Sequence, residues 1–142
     1  MYYEEVYGDL LKENMSEFFL CHTVSVDCAM GAGIARTIVS RFPGVRSYCK
    51  SLDPSIGDVI LFEGVYNLFT KKNFWNKPTL SSVEKSLVTL RNTMVASQQA
   101  KVAMPLIGCG LDKLAWRDVS AIIKEVFQDT DIHVRVYHYQ VK

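Results

Sequence analysis

Apolar and polar residues alternate from Tyr2 to Val6, which predicts a first strand ended by Gly8-Asp9. Phe18 to Val24 is a short apolar run of β-compatible residues, the pattern of a buried strand. A loop from Ser25 to Ala32 follows, containing Gly31 and running into Gly33. Ile34 to Phe42 then reads as a helix closed by Pro43-Gly44. Val45 to Leu52 suits a second, short helix. Asp58 to Phe62 and Tyr66 to Thr70 flank Glu63-Gly64-Val65, the mark of a hairpin. Lys71 to Pro78 is a polar loop that carries Phe74 and Trp75. Thr79 is a fitting N-cap for a helix whose Val83, Leu87, Leu90 and Met94 share one face. Lys101 to Met104 is a short strand, and Pro105 to Lys113 is a glycine-bearing loop. Trp116, Val119, Ile122, Ile123 and Val126 stripe another helix. Ile132, Val134 and Val136 alternate on a last strand, with Tyr137 and Tyr139 on its other face.

Strands interleaved with helices, without an internal repeat or linker, predict an α/β sandwich formed as one domain over residues 1–142. Ligands of such sheets sit at the carboxyl ends of strands. That rule gathers Gly8-Asp9, Ser25–Ile34, Ile107–Asp112 and Lys71 into one candidate site. The 142 residues are 49% hydrophobic and 22% charged, enough for an ordinary core. Sixteen basic residues against fifteen acidic ones argue against a protein that coats long nucleic acid, though a local basic patch stays open. The acidic N-terminus does not read as a secretion signal, and no apolar run is long enough to span a membrane. Four scattered cysteines without a CxxC pair point away from zinc or a disulfide framework and toward an intracellular setting.

Two glycine loops carry the clearest chemical signal. Met30-Gly31-Ala32-Gly33-Ile34 precedes a helix whose N-terminal amides suit an anion, and Ile107-Gly108-Cys109-Gly110-Leu111 has the composition of a phosphate-binding nest. Two such loops favour a diphosphate, yet the first alone reads equally as a tight turn. Asp9 is either a turn cap or an acceptor for an exocyclic amine. Cys109 reads as a small hydrophobe before it reads as a nucleophile. Lys71-Lys72 is a solvated strand end unless a pocket activates one amine. Asp27 and Asp112 are candidate acid/base carboxylates. His22 is expected inside its strand, and His133 and His138 are expected to be exposed.

Taken together, Gly8-Asp9-Leu10, Cys21 to Ala35, Phe69-Thr70-Lys71-Lys72, Lys77-Pro78-Thr79 and Met104 to Asp112 resemble a macrodomain. They are similar to the branch of terminal-ADP-ribose protein glycohydrolases, which also holds antitoxins that reverse ADP-ribosylation of DNA. The resemblance implies a three-layer α/β/α fold with a six-stranded mixed sheet. It also implies a cleft for ADP-ribose, or for ADP-ribosylated protein or nucleic acid, with no metal, cofactor or membrane partner and a monomeric state. By resemblance, Asp9 and the Leu10 amide hold adenine. Ser25, Met30, Gly31, Ala32, Gly33 and Ile34 hold phosphate and distal ribose, while Ile107, Gly108, Cys109, Gly110 and Leu111 cradle the diphosphate. Tyr137 is the aromatic beside adenine, with Tyr139 the alternative. Lys71 is the implied nucleophile at the anomeric carbon and Asp112 its acid/base partner. Asn73-Phe74-Trp75-Asn76 departs from the family pattern at the cleft entrance. Three activities stay open: a hydrolase releasing terminal ADP-ribose, a phosphatase or deacetylase acting on small ADP-ribose derivatives, and a non-catalytic reader.

Overall fold

The computed structural model describes residues 1–110 and 112–139. Six strands form one mixed sheet: β1 (Tyr2–Tyr7), β2 (Phe19–Ser25), β3 (Val59–Phe62), β4 (Val65–Lys71), β5 (Lys101–Met104) and β6 (His133–His138). Their spatial order is β1-β6-β5-β2-β4-β3. Every neighbouring pair is parallel except the β3–β4 hairpin. That hairpin turns on Glu63 and Gly64, whose φ values of 48° and 82° give the doubly left-handed turn that matches strand twist. The one element the pattern did not suggest is a 3-10 turn at Leu10–Lys12, capped by the Asp9 carboxylate.

Four helices cover the sheet: α1 (Gly33–Arg41), α2 (Val45–Ser51), α3 (Leu80–Ser97) and α4 (Trp116–Phe127). Strand alternation sorts the core between two faces. Cys21, Tyr66, Leu68, Val102, Met104 and Val134 meet Val83, Leu87, Leu90 and Met94 of α3 and Val119, Ile123 and Phe127 of α4. On the other face, Val24, Phe69 and Ile60 pack with Ala35 of α1 and with Val45 and Cys49 of α2. Leu20, Val65 and Ala103 close that face against Leu10, Phe18 and Ile38. The three layers are those expected from the sequence.

α3 illustrates why these residues form these elements. Thr79 Oγ1 accepts from the Ser82 amide at 3.0 Å, and Ser82 Oγ accepts from the Thr79 amide at 3.0 Å, a reciprocal cap on an 18-residue helix. Among the described residues, no helix is long and apolar enough to cross a membrane.

The chain leaves β2 toward α1 on one face, whereas β4 and β5 lead to α3 and α4 on the other. Opposite departures from adjacent strands open a crevice at their carboxyl ends. The candidate site lies there.

Candidate active site

A cavity of about 820 Å³ occupies this crevice, within the range of small-molecule sites. One wall is the β2–α1 loop, from Ser25 through Met30, Gly31, Ala32 and Gly33 to Ile34. The opposite wall is the β5–α4 loop, including Ile107, Gly108, Gly110 and Asp112. Lys71 and the segment from Phe74 to Lys77 form the third side. Three of the four stretches singled out in the sequence thus converge on this cavity, and Gly8-Asp9 lies outside its lining.

The β2–α1 wall is held in an unusual backbone shape. Cys28 and Met30 take left-handed φ values of 56° and 46°, a conformation few non-glycine residues adopt. Arg46 Nε holds it by donating to the Cys28 carbonyl at 2.9 Å. At its end, Ala32 precedes α1 as an N-cap without a side-chain hydrogen bond, so the first amides of the helix remain open to a ligand. The β5–α4 wall is open too: a side chain at Gly110 would meet nothing within 4 Å. Gly108 is different, since its φ of 74° favours glycine and a Cβ there would meet Leu114 Cδ1 at 3.0 Å.

Lys71 reaches the cavity because β4 bulges. Val24 pairs with Phe69, but Ser25 pairs with Lys71, leaving Thr70 as the extra residue. The Lys71 Nζ lies 2.6 Å from Asp112 Oδ1, with only 14% and 15% of the two side chains exposed. An amine and a carboxylate from separate elements therefore share a proton-transfer distance in the cavity wall.

Asp27 serves a different purpose from the acid/base role open to it in the sequence. Its Oδ1 accepts from Ser25 Oγ at 2.5 Å and from the Ala29 amide at 3.0 Å, and its Oδ2 accepts from the Phe74 amide at 3.0 Å. Burial alone would raise this carboxyl, but those hydrogen bonds and the nearby Lys71 charge hold it below the ordinary range. A carboxylate so engaged is a clamp joining two loops. Cys109 keeps its thiol, because burial pushes its pKa up. Its sulfur donates to the Ile107 carbonyl.

A bovine (Bos taurus) protein, ADP-ribose glycohydrolase OARD1, is 42% identical to this chain over 122 residues, covering 83% of the chain and 80% of that protein. The chain belongs to the macrodomain family of ADP-ribose glycohydrolases. The DNA ADP-ribosyl glycohydrolase of Mycobacterium tuberculosis is 28% identical across 92% of this macrodomain, which spans 40% of that longer protein. Among solved structures, the macrodomain of Mycobacterium tuberculosis DarG superposes with a TM-score of 0.84 at 27% identity, covering 94% and 97% of the two chains. No family model matches the sequence.

Not every residue carried over from the family lies on the cavity of this macrodomain. Asp9, Leu10, Cys109 and Tyr137 fall outside its lining, and Leu111 lies outside the described residues. Asp9 Oδ1 accepts from the Leu11 amide at 2.9 Å, so its capping role is realised. Leu10 is buried, and Ile34 and Tyr137 pack against its cluster. Ile34 thereby joins the cavity to this apolar corner. Tyr137 is oriented by Glu13 Oε1, which accepts from its hydroxyl at 3.0 Å, whereas Tyr139 is 70% exposed.

Sequence reasoning missed Glu13, which the fold brings to Tyr137, and Lys113, which it brings to the cavity wall. It also misplaced two histidines. His133 and His138 are part-buried in the β1–β6 edge, where they bond Glu4 and Glu5 across a parallel register invisible in local pattern. His22 is inside its strand as expected. Its Nε2 donates to Asn67 Oδ1 at 2.6 Å, and burial lowers its pKa to about 4.

Proposed function

We propose that this macrodomain removes terminal ADP-ribose from an acidic protein side chain or a nucleobase, with Lys71 as nucleophile and Asp112 as proton carrier. The observation that carries this reading is the 2.6 Å Lys71–Asp112 contact in the cavity wall. Binding alone would need neither an amine nor its partner there. The diphosphate lies between the open amides of Gly33–Ala35 and the backbone at Gly108–Gly110, and Ser25 and Met30 to Ala32 shape the distal-ribose end. Leu10, Ile34 and Tyr137 form the apolar corner for adenine, with Asp9 accepting from its amine. Ile107 and Cys109 complete the diphosphate loop.

The chemistry follows from the pair. An ammonium has no lone pair, so Lys71 must first pass a proton to Asp112. The free amine attacks the anomeric carbon of the distal ribose. The bond from that carbon to the leaving atom breaks, and the leaving atom departs with both electrons and takes up a proton, which the Asp112 carboxylic acid can supply. Water then adds to the lysine-linked sugar with Asp112 as base, and cleavage of the carbon–nitrogen bond releases ADP-ribose and restores the amine. Low exposure of both groups favours direct transfer between them.

The test offers purified protein ADP-ribose linked to glutamate, serine, arginine or thymidine, together with ADP-ribose 1″-phosphate. Turnover of a glycosidic ester or a nucleobase linkage that disappears in Lys71→Ala supports the reading. Binding without turnover of any substrate would make the protein a reader instead.

A further inference from the structure

A second recess, of about 320 Å³, lies behind the Lys71 wall. It shares Lys71, Asn76 and Lys77 with the main cavity but none of the residues of the two glycine loops. Lys72 enters its lining, as does the N-terminus of α3 at Thr79 and Ser82, and no carboxylate does. The Thr79–Ser82 cap takes up the Ser82 amide, which leaves the earliest amides of this long helix as donors. The buried residue at the β4 bulge, Thr70, also lines the recess. It is 1% exposed, and among the described residues its hydroxyl has no hydrogen-bond partner. An orphaned hydroxyl at this depth is costly unless a ligand or water meets it. Lysine charge, helix amides and this hydroxyl all call for the same ligand, an anion rich in acceptors.

The other observation concerns the shared wall. Phe74 and Trp75 are 60% and 65% exposed, with ring centroids 5.0 Å apart and planes at 86°. Both rings line the main cavity, on a segment anchored by Asp27 and by the Asn73 amide donating to Asn76 Oδ1. Two large rings held open to water on a fixed loop form a stacking surface. A flat group on the rings and an anion in the recess beyond them describe a nucleotide.

We propose that the recess holds a backbone phosphate of the nucleic-acid strand whose base carries the ADP-ribose, with Phe74 and Trp75 stacking on that strand's bases. This rests on the glycohydrolase reading above and specifies its leaving group. The glycine loops take the two phosphates of ADP-ribose, so a third anion site on the far side of Lys71 belongs to whatever ADP-ribose is attached to. Lys72 and Thr70 set specificity for the strand, and Lys71 remains the reacting amine.

The experiment compares three substrates: a single-stranded oligonucleotide with ADP-ribose on one thymine, thymidine-linked ADP-ribose without backbone phosphates, and a glutamate-linked peptide. For the oligonucleotide, Lys72→Glu and Thr70→Val should each raise KM about tenfold, with kcat retained. Their kinetics on the phosphate-free nucleoside and the peptide should match wild type within about twofold. Trp75→Ala should raise KM for the oligonucleotide as well. Wild-type KM for the oligonucleotide should climb with salt, and less steeply in Lys72→Glu. Unchanged oligonucleotide kinetics in both recess variants, or equal losses on the peptide, would overturn the phosphate site. Turnover of the peptide alone would overturn it too, and would assign a protein leaving group while the glycohydrolase reading stands. Calorimetry with ADP-ribose separates the two levels, since wild type that fails to bind it defeats the underlying reading itself.

Discussion

Two clusters of opposite charge stand at different ends of the same sheet. At the β1–β6 edge, each carboxylate has two or three donors. Glu4 accepts from Arg135 Nε at 3.0 Å and pairs with His133, while Glu13 accepts from Arg135 Nη1 at 2.8 Å and from Tyr137. Glu5 accepts from Tyr3 and Trp116 and pairs with His138. In the cavity the pattern is sparse. Among the described residues, Asp112 accepts from Lys71 and from no other donor. Exposure does not separate the two, since Arg135 and Glu13 at 27% and 6% resemble Lys71 and Asp112 at 14% and 15%. The number of donors on each carboxylate does. A carboxylate held by several donors is biased to its charged state, while a single contact beside open volume can exchange its proton. The first arrangement holds strands together, and the second does chemistry.

Exchanging residues between these roles tests the contrast. Lys71→Ala should lower turnover at least about 100-fold, roughly 2.7 kcal/mol of transition-state stabilisation, while ADP-ribose affinity and Tm stay near wild type. Gly110→Glu should abolish ADP-ribose binding in calorimetry without unfolding the protein. Its side chain enters open space, and its carboxylate repels a diphosphate. Arg135→Ala should do the opposite of Lys71→Ala. It leaves Glu4 and Glu13 short of donors and should cost about 1–3 kcal/mol of stability in denaturant titration, with kcat preserved below the melting transition.

The last effect is one of pH. Burial keeps His22 neutral, with its pKa lowered to about 4. Between its unfolded value near 6.5 and that folded value, the unfolded chain binds the extra proton. Stability should therefore fall as pH drops through this window, by up to about 1.4 kcal/mol per pH unit from this residue. Below it, the edge adds its own loss. Burial alone would raise Glu4 and Glu5, but hydrogen bonds from His133 and Arg135, and from Tyr3, His138 and Trp116, hold both below the usual carboxylate range. Their stabilisation is present above the unfolded carboxylate pKa and is lost as pH falls through the depressed folded values. Urea titrations at several pH values check both slopes, and His22→Asn should remove the upper one.

What could be read in the sequence follows from the range of each interaction. Helices and strands were legible because Val83, Leu87, Leu90 and Met94, or Ile132, Val134 and Val136, repeat at the period of their own element. The glycine loops were legible because Gly31, Gly33, Gly108 and Gly110 sit between a strand and a helix. Lys71 at its strand end and Asp112 beside its glycine loop were legible one by one, but their partnership came through family resemblance, since 41 positions separate them and local pattern says nothing of a 2.6 Å contact. The β4 bulge, which makes Thr70 the extra residue, depends on register with β2 and leaves no mark on Thr70-Lys71-Lys72. The partners of His133 and His138 lie 129 and 133 residues away, so expecting those side chains to be exposed followed from chain position alone.

The central claim is that Lys71 attacks the anomeric carbon, and trapping the adduct tests it most directly. Asp112→Ala removes the group that returns protons during resolution but leaves the amine in place. After incubation with thymidine-linked or glutamate-linked ADP-ribose, intact-mass spectrometry should find this variant heavier by one ADP-ribosyl group, mapped by peptide fragmentation to Lys71. The adduct should be absent from the Lys71→Ala, Asp112→Ala double variant. Full turnover by Lys71→Ala, or an adduct on any other residue, would contradict the account.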